Sequence, residues 1–442
     1  MSESSEQRTQ KYLDLGHTEA ENHAKTQLEL YEKHVKNTST VTNVISEFFK
    51  TNLLGFAWHY LKSRFGPRHA YQSYPKNGDS GVYKLQSSVP SRQQISIALL
   101  SDWASDTAES DAVAHLVAKY APDYSIHMGD IYFVGAPKEV EDNFTAPHAS
   151  WYYGALGSLA LSGNHEMYSN GNAFFQHLLP AMYVQEGDVR KTQQAGFFCL
   201  ENEHWRIIGL DTGYTSVQRP FLEIVSPPDC HLRKEQIDWL RDVVKLGDPD
   251  DKRGLVFLTH HPNISAFREQ YVKPGEQIQE LLGGSEREVI WFWGHDHRLV
   301  IYNKTKNGKG PVAYGRCLGH GGLPVEIKMP DGEEDIRKIM LYDRRVRKVI
   351  KKYKLGYNGF VRLNLEGNKI EAQYLDLEDT CVFEEQWVVN APSGQMQWSI
   401  NKMIPGMEIP GMEIPGMEIP GTEIQGNAIP GNDLSEDDLA VN

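Results

Sequence analysis

The sequence predicts a layered α/β domain between a helical N-terminal extension and an extended, repetitive tail, and three observations predict it. Short apolar runs alternate with helix-length polar segments across the middle of the chain, as strands alternate with helices in such domains. Upstream, apolar residues recur at helical spacing. Downstream, a proline returns every five residues.

Residues 1–92 are read as the helical extension. "VTNVISEFFKTNLLGFAWHYL" puts Val41, Ile45, Phe48, Phe49, Leu53, Phe56, Ala57, Tyr60 and Leu61 on one stripe, which is expected to pack on the body of the protein. A partner groove or a membrane surface are the other occupants of such a stripe.

Residues 93–390 are read as the α/β domain. Its apolar runs are "ISIALLSD", "YSIHMGD", "SLALSGN", "WRIIGLDTG", "GLVFLTHH" and "VIWFWGHDH", with amphipathic stretches such as "RKEQIDWLRDVVKL" between them. Each run ends in Asp, Asn or His, and the carboxyl ends of strands are where open α/β sheets bind ligands. "GFVRLNLEGNKIEAQYLD" reads as a hairpin with Gly-Asn at its turn, finishing the sheet.

Residues 391–442 are read as a low-complexity tail, with Pro405, Pro410, Pro415 and Pro420 in a GMEIP repeat. Proline this frequent removes too many backbone donors for a helix or central strand, so a disordered tail is expected. From Met403 onward it carries eight acidic residues and no basic one. It is either a solvated spacer or a docking sequence whose Met and Ile side chains engage a protein partner.

The whole chain holds 59 acidic and 45 basic residues in 442, a net charge of −14. Bulk attraction to nucleic acid or to anionic membrane is therefore not expected, and nucleic acid enters only as a substrate met locally. No secretion signal is recognisable, and no uninterrupted apolar stretch reaches the roughly 18 residues of a membrane span. Cys199, Cys230, Cys317 and Cys381 form no CxxC pair and read as free thiols of a reducing compartment. A cytoplasmic location follows as the expectation, with delivery by a non-classical route as the alternative.

The strand ends supply Asp102, Asp130, Asn164, His165, His260, His295 and His297. Carboxylates, an amide and imidazoles without thiolate suit ions such as Mn, Fe or Zn. Two such ions about 3.5–4 Å apart can clamp the attacking and leaving oxygens of a phosphoryl group. In order, "SDWA", "GDIYF", "GNHE", "LTHH" and "GHDH" resemble the signature of the calcineurin-like metallophosphoesterases, a family that includes the purple acid phosphatases.

The resemblance implies a four-layer α/β/β/α sandwich and metal-dependent hydrolysis of a phosphate ester, monoester or diester, by a hydroxide held between two metals. It makes Asp130 the bridging carboxylate, gives Asp102 and His297 to the first metal, and gives Asn164, His260 and His295 to the second. It makes His165 the catalytic imidazole at the phosphate, with Glu166 either orienting it or facing solvent.

Two departures accompany it. The family's usual His two residues after the first Asp is Ala104, and the Tyr that purple acid phosphatases carry three residues after the bridging Asp is Phe133. A weaker first site and no tyrosinate-to-iron colour are expected, unless the turn is shifted so that Tyr132 serves; Asp106 also lies near. Those losses are the basis of a second reading, a catalytically weak binding or scaffold module acting through its N-terminal helix and repeat tail.

Other residues read as structural: His127 as a hydrogen-bonded core histidine, Asp211 as a turn closer, and His261 as a neighbour of the ligand His260. Arg316 and His320 in "RCLGHGGLP" are weaker candidates for anion contact. The basic run "RKIMLYDRRVRKVIKKYK" is a solvated face or a guide for a polyanion.

Overall fold

A computed structural model describes residues 67–407, apart from residues 76–77, 90, 218–227, 268–269, 331, 351–352 and 391. The apolar stripe at residues 41–61 and the repeats beyond residue 407 lie outside the described residues.

All six apolar runs are strands: β1 (Ile95–Leu100), β2 (Tyr124–His127), β3 (Gly157–Ala160), β4 (Trp205–Gly209), β5 (Gly254–Leu258) and β6 (Glu288–Trp293). They are apolar throughout because nearly every position is buried, as parallel strands covered on both faces require. They divide between two sheets. β1, β2 and β3 run parallel in one, and β4, β5 and β6 run parallel in the other.

A helix layer covers each sheet. Helix α1 (Ala108–Tyr120) starts at Thr107, whose hydroxyl accepts from Ser110 N while Thr107 N donates to Ser110 Oγ, a reciprocal cap. It lays Val113, Ala114 and Val117 against Ala98 and Leu100 of β1. On the other sheet, Trp239 and Leu240 of α2 (Lys234–Asp242) and Ile278 of α3 (Val272–Leu281) join Ile208, Phe257 and Trp291. The result is a mixed α/β fold of several sheets and few helices, consistent with the expected metallophosphoesterase sandwich.

Both expected boundaries move outward. Val82–Lys84, assigned above to the helical extension, pairs in parallel with Phe198–Glu201 at the edge of the second sheet. The hairpin Gly359–Glu366 and Lys369–Asp376 forms, with Gly367 at a positive φ of 56°, and pairs with β1. It does not finish the sheet: Cys381–Val389 and Met396–Met403 add two more antiparallel strands. Residues 391–403, expected in the tail, therefore belong partly to the sheet, and Tyr342 N still donates to Met407 O at 2.9 Å.

Arg316 is fully buried and belongs to the contact between the sheets. Its Nε and Nη2 donate to the two oxygens of Glu385 at 2.6 Å each, and Tyr374 Oη and Trp398 Nε1 donate to the same carboxylate at 2.6 Å. Contact with substrate is thereby replaced by a structural role. Replacing Glu385 with Gln strands a buried guanidinium charge and is expected to cost about 3–5 kcal/mol, read as a lower urea midpoint with unchanged m-value.

His127 is a core histidine, as expected, but not a hydrogen-bonded one. Its ring lies 5.1 Å from Phe144, 5.8 Å from Trp151 and 6.4 Å from Trp103, and neither nitrogen has a partner among the described residues. Burial pushes its pKa from 6.5 down to about 3. The unfolded chain thus takes up a proton between these values that the folded chain refuses, so stability falls as pH falls through 6.5. The His127→Leu variant should lose about 1.4 kcal/mol less per pH unit over that window, measured by urea unfolding in a pH series.

Candidate metal centre

The two sheets bring their strand ends together. Asp102 follows β1, Asp130 follows β2, and Asn164 and His165 follow β3, all from one sheet. His260 follows β5, and His295 and His297 follow β6, from the other. All seven residues named from the sequence converge, linked by direct contacts.

The first group centres on Asp102, His297 and Asp130, and the side chain among them is Tyr132. Its hydroxyl lies 2.8 Å from Asp102 Oδ1, 2.9 Å from His297 Nε2 and 3.2 Å from Asp130 Oδ2. The hydroxyl that enters this group is thus that of Tyr132, one residue before Phe133. Ala104, where a histidine would be usual, accepts from Tyr132 N at 2.9 Å and so fixes that turn through its backbone. Glu139 holds the far side, accepting from Phe133 N, Val134 N and Ala136 N at 2.6, 3.2 and 2.8 Å. Asp106 is placed elsewhere, its backbone N–H on Asn143 and its carboxyl facing Asp142 and Asp111.

The second group centres on His260, His295 and Asn164. His260 Nδ1 meets Met128 O at 3.1 Å, a contact to a carbonyl that keeps Nδ1 protonated and turns Nε2 toward Asp130. That Nε2 is buried without a hydrogen-bond partner, 3.2 Å from Asp130 Oδ2. Asn164 Oδ1 faces His295 Nδ1 at 3.0 Å, while its amide nitrogen donates to Tyr168 Oη at 3.1 Å. A buried ring nitrogen without a hydrogen-bond partner, an amide oxygen and a carboxylate converging in this way fit a cation, be it a proton or a metal ion.

Asp130 belongs to both groups. Its Oδ2 is the oxygen 3.2 Å from both Tyr132 Oη and His260 Nε2, and 3.8 Å from His165 Nε2; its Oδ1 accepts from His165 N at 3.0 Å. Burial opposes its ionisation, but His260 and His165 hold it well below the ordinary carboxylate range. In return, although burial works against it, the field of Asp130 raises His260 to about 9. Positive charge is favoured at this point whichever group carries it.

The backbone is specialised to match. Asp102, Asp130 and His295 have φ of 56°, 69° and 65°, a costly region for residues with a side chain. Gly163 is packed so closely that a Cβ there would sit 2.1 Å from Asp130 Oδ1, and one on Gly294 would sit 2.4 Å from Asp102 Oδ2.

His165 donates through Nδ1 to Phe133 O at 2.6 Å, which turns Nε2 toward the cluster. Glu166 does not orient it and does not face solvent. Fully buried, it accepts from Gly163 N and Asp130 N at 2.8 and 3.3 Å, bracing the turn that holds the shared carboxylate. Asp211 closes its turn as expected, accepting from Tyr214 N and Ser162 Oγ. In the basic run, Arg345 pairs with Asp343 and Asp376, and Arg347 with Glu109 and Glu378, which neutralises part of its field.

Residues 95–299 match the sequence model of the calcineurin-like phosphoesterases, an interval that opens at β1 and closes two residues after His297. Residues 95–299 are a calcineurin-like phosphoesterase domain. No curated protein matches the chain in sequence. Among solved structures this chain is similar to GAP50, the anchor in the inner membrane complex of Plasmodium, at 14% identity over 67% of this chain and 89% of that one, TM-score 0.45. It is also similar to purple acid phosphatase PPD1 from yellow lupin (Lupinus luteus) seeds, at 16% identity over 67% and 53% of the two chains, TM-score 0.38. PhoD matches at 12% identity over 71% and 73%, TM-score 0.45. The calcineurin-like family binds two metal ions, and candidate ligand groups for them are present here. No helix among the described residues is long and apolar enough to cross a membrane.

Proposed function

We propose that this protein hydrolyses a phosphate ester, as a phosphatase or phosphodiesterase, with two metal ions held by the residues described above. The observation that carries the reading is the single oxygen of Asp130 facing both ligand groups. Asp102, His297 and Tyr132 would hold the first ion and Asn164, His260 and His295 the second, with Asp130 shared. Bound there, the ions supply Lewis acidity that makes water a nucleophile near neutral pH and neutralises charge on the phosphoryl oxygens.

The chain's own residues do the rest. Asn164, fixed by Tyr168, and His165, fixed by Phe133 O, present polar atoms to the charge that develops on the phosphoryl oxygens. With Nδ1–H held on Phe133 O, His165 Nε2 can protonate the leaving oxygen only after it has itself taken up a proton. Burial lowers the pKa of His165, and the charge of Asp130 works the other way. Tyr132 restores a donor to the first group, which removes the main argument for a scaffold protein that has lost turnover.

His165→Ala should lower kcat by about 100- to 10,000-fold with ion content unchanged, whereas Asp130→Ala should abolish ion uptake together with turnover. Paired mono- and diester model substrates, assayed with and without added Mn, decide the ester class. Absence of metal uptake by the intact protein would sink the proposal.

Tyr132 gives a second readout. Loaded with ferric iron, the protein should show visible absorption from phenolate-to-iron charge transfer, and Tyr132→Phe should lose that band while Phe133→Leu keeps it. A colourless iron form of the intact protein would remove Tyr132 from the ligand set.

A further inference from the structure

We propose that His261 is a further ligand of the second ion, so that His260, His261 and His295 give it three imidazoles. This rests on the two-metal reading above and goes beyond its ligand set, in which His261 was only the neighbour of a ligand.

The geometry sets His261 apart from an ordinary core histidine. A potential ligand atom of each of the three histidines lies within 4.8 Å of those of the other two. The His261 ring is centred 4.9 Å from that of His260 and 5.0 Å from that of His295. Three basic nitrogens gathered in a buried pocket repel through their lone pairs unless a proton or a cation stands among them.

Thr212 anchors the His261 ring. Thr212 Oγ1 accepts from His261 N at 3.3 Å and lies 3.0 Å from His261 Nδ1. A ligand role for Nε2 requires Nδ1–H to donate to that hydroxyl, the part an outer partner plays when it fixes the far nitrogen in metal sites. Thr212 follows β4 and His261 follows β5, neighbouring parallel strands, so the sheet itself sets the separation of the pair. Tyr271 closes the other side, its ring edge-on at 5.3 Å.

The chemical consequence is selectivity. Asn164 and the three imidazoles are neutral donors, so the second site favours ions with affinity for nitrogen, such as Zn or ferrous iron, over Mg or Ca, which prefer oxygen.

The test is a metal titration of the intact chain. Zinc affinity is read by competition with a chromophoric chelator, and the visible spectrum is recorded with Co(II) in both sites. The wild type should take up two ions. His261→Ala and His261→Phe should keep one at wild-type affinity and bind the other about tenfold more weakly or worse, with altered Co(II) bands. Thr212→Val, which keeps the imidazole but frees its orientation, should weaken the same ion by about 10- to 100-fold. Added imidazole should restore the Co(II) bands of His261→Ala.

Wild-type zinc affinity and unchanged Co(II) bands in both His261 variants would overturn the assignment, as would a variant whose only defect is a raised KM. A wild type that binds no second ion would instead bring down the two-metal reading beneath it.

Discussion

The site depends on one buried carboxylate. Asp130 is 1% exposed, and a charge so far from water costs several kcal/mol unless opposite charge and hydrogen-bond donors surround it. His165 N and Tyr132 Oη donate to it, and His260 lies in its field. The surrounding peculiarities follow from seating that group: a positive φ at Asp130, glycine at 163 where no Cβ fits, and a buried Glu166 bracing the turn through Asp130 N. Two sheets are also needed, because His260, whose Nε2 faces Asp130, arrives from the second one.

Much of this was legible because burial and chemistry both leave marks on sequence. Strands covered on both faces must be apolar end to end, so all six showed as runs. A centre built at strand ends must interrupt those runs with Asp, Asn or His. What stayed hidden depends on pairings between distant residues. Arg316 in a glycine-rich turn looked suited to an anion, and nothing local in the sequence points to Glu385, sixty-nine positions away. His127 shows the same limit, since a sequence cannot say whether a buried imidazole finds a partner.

Boundaries were less legible than elements. The strand Met396–Met403 alternates in exposure at the sheet edge and has no apolar run to announce it; the proline at 405, not the turn near 391, marks where pairing ends. Tyr132 illustrates the same difficulty at the scale of one turn. Family spacing directs attention to the third residue after Asp130, but the side chain that enters a tight turn is decided by backbone pairing, here Tyr132 N on Ala104 O. The alanine that stands where a histidine would be usual is part of what places the Tyr132 hydroxyl.

On the proposed assignment the two sites differ in charge as well as in geometry. The first draws on Asp102, Asp130 and the phenol of Tyr132 beside the neutral imidazole of His297; the second shares Asp130 and is otherwise neutral. A phenol coordinated to a highly charged ion ionises readily, because the ion stabilises the phenolate far more than water does. More anionic oxygen on one side and more imidazole on the other would therefore favour two unlike ions: the harder and more highly charged at Tyr132, the softer at the second site. Such a pair would divide the reaction unequally, since the more strongly polarising ion lowers the pKa of bound water further. The other would be left to neutralise the phosphoryl group that Asn164 and His165 face.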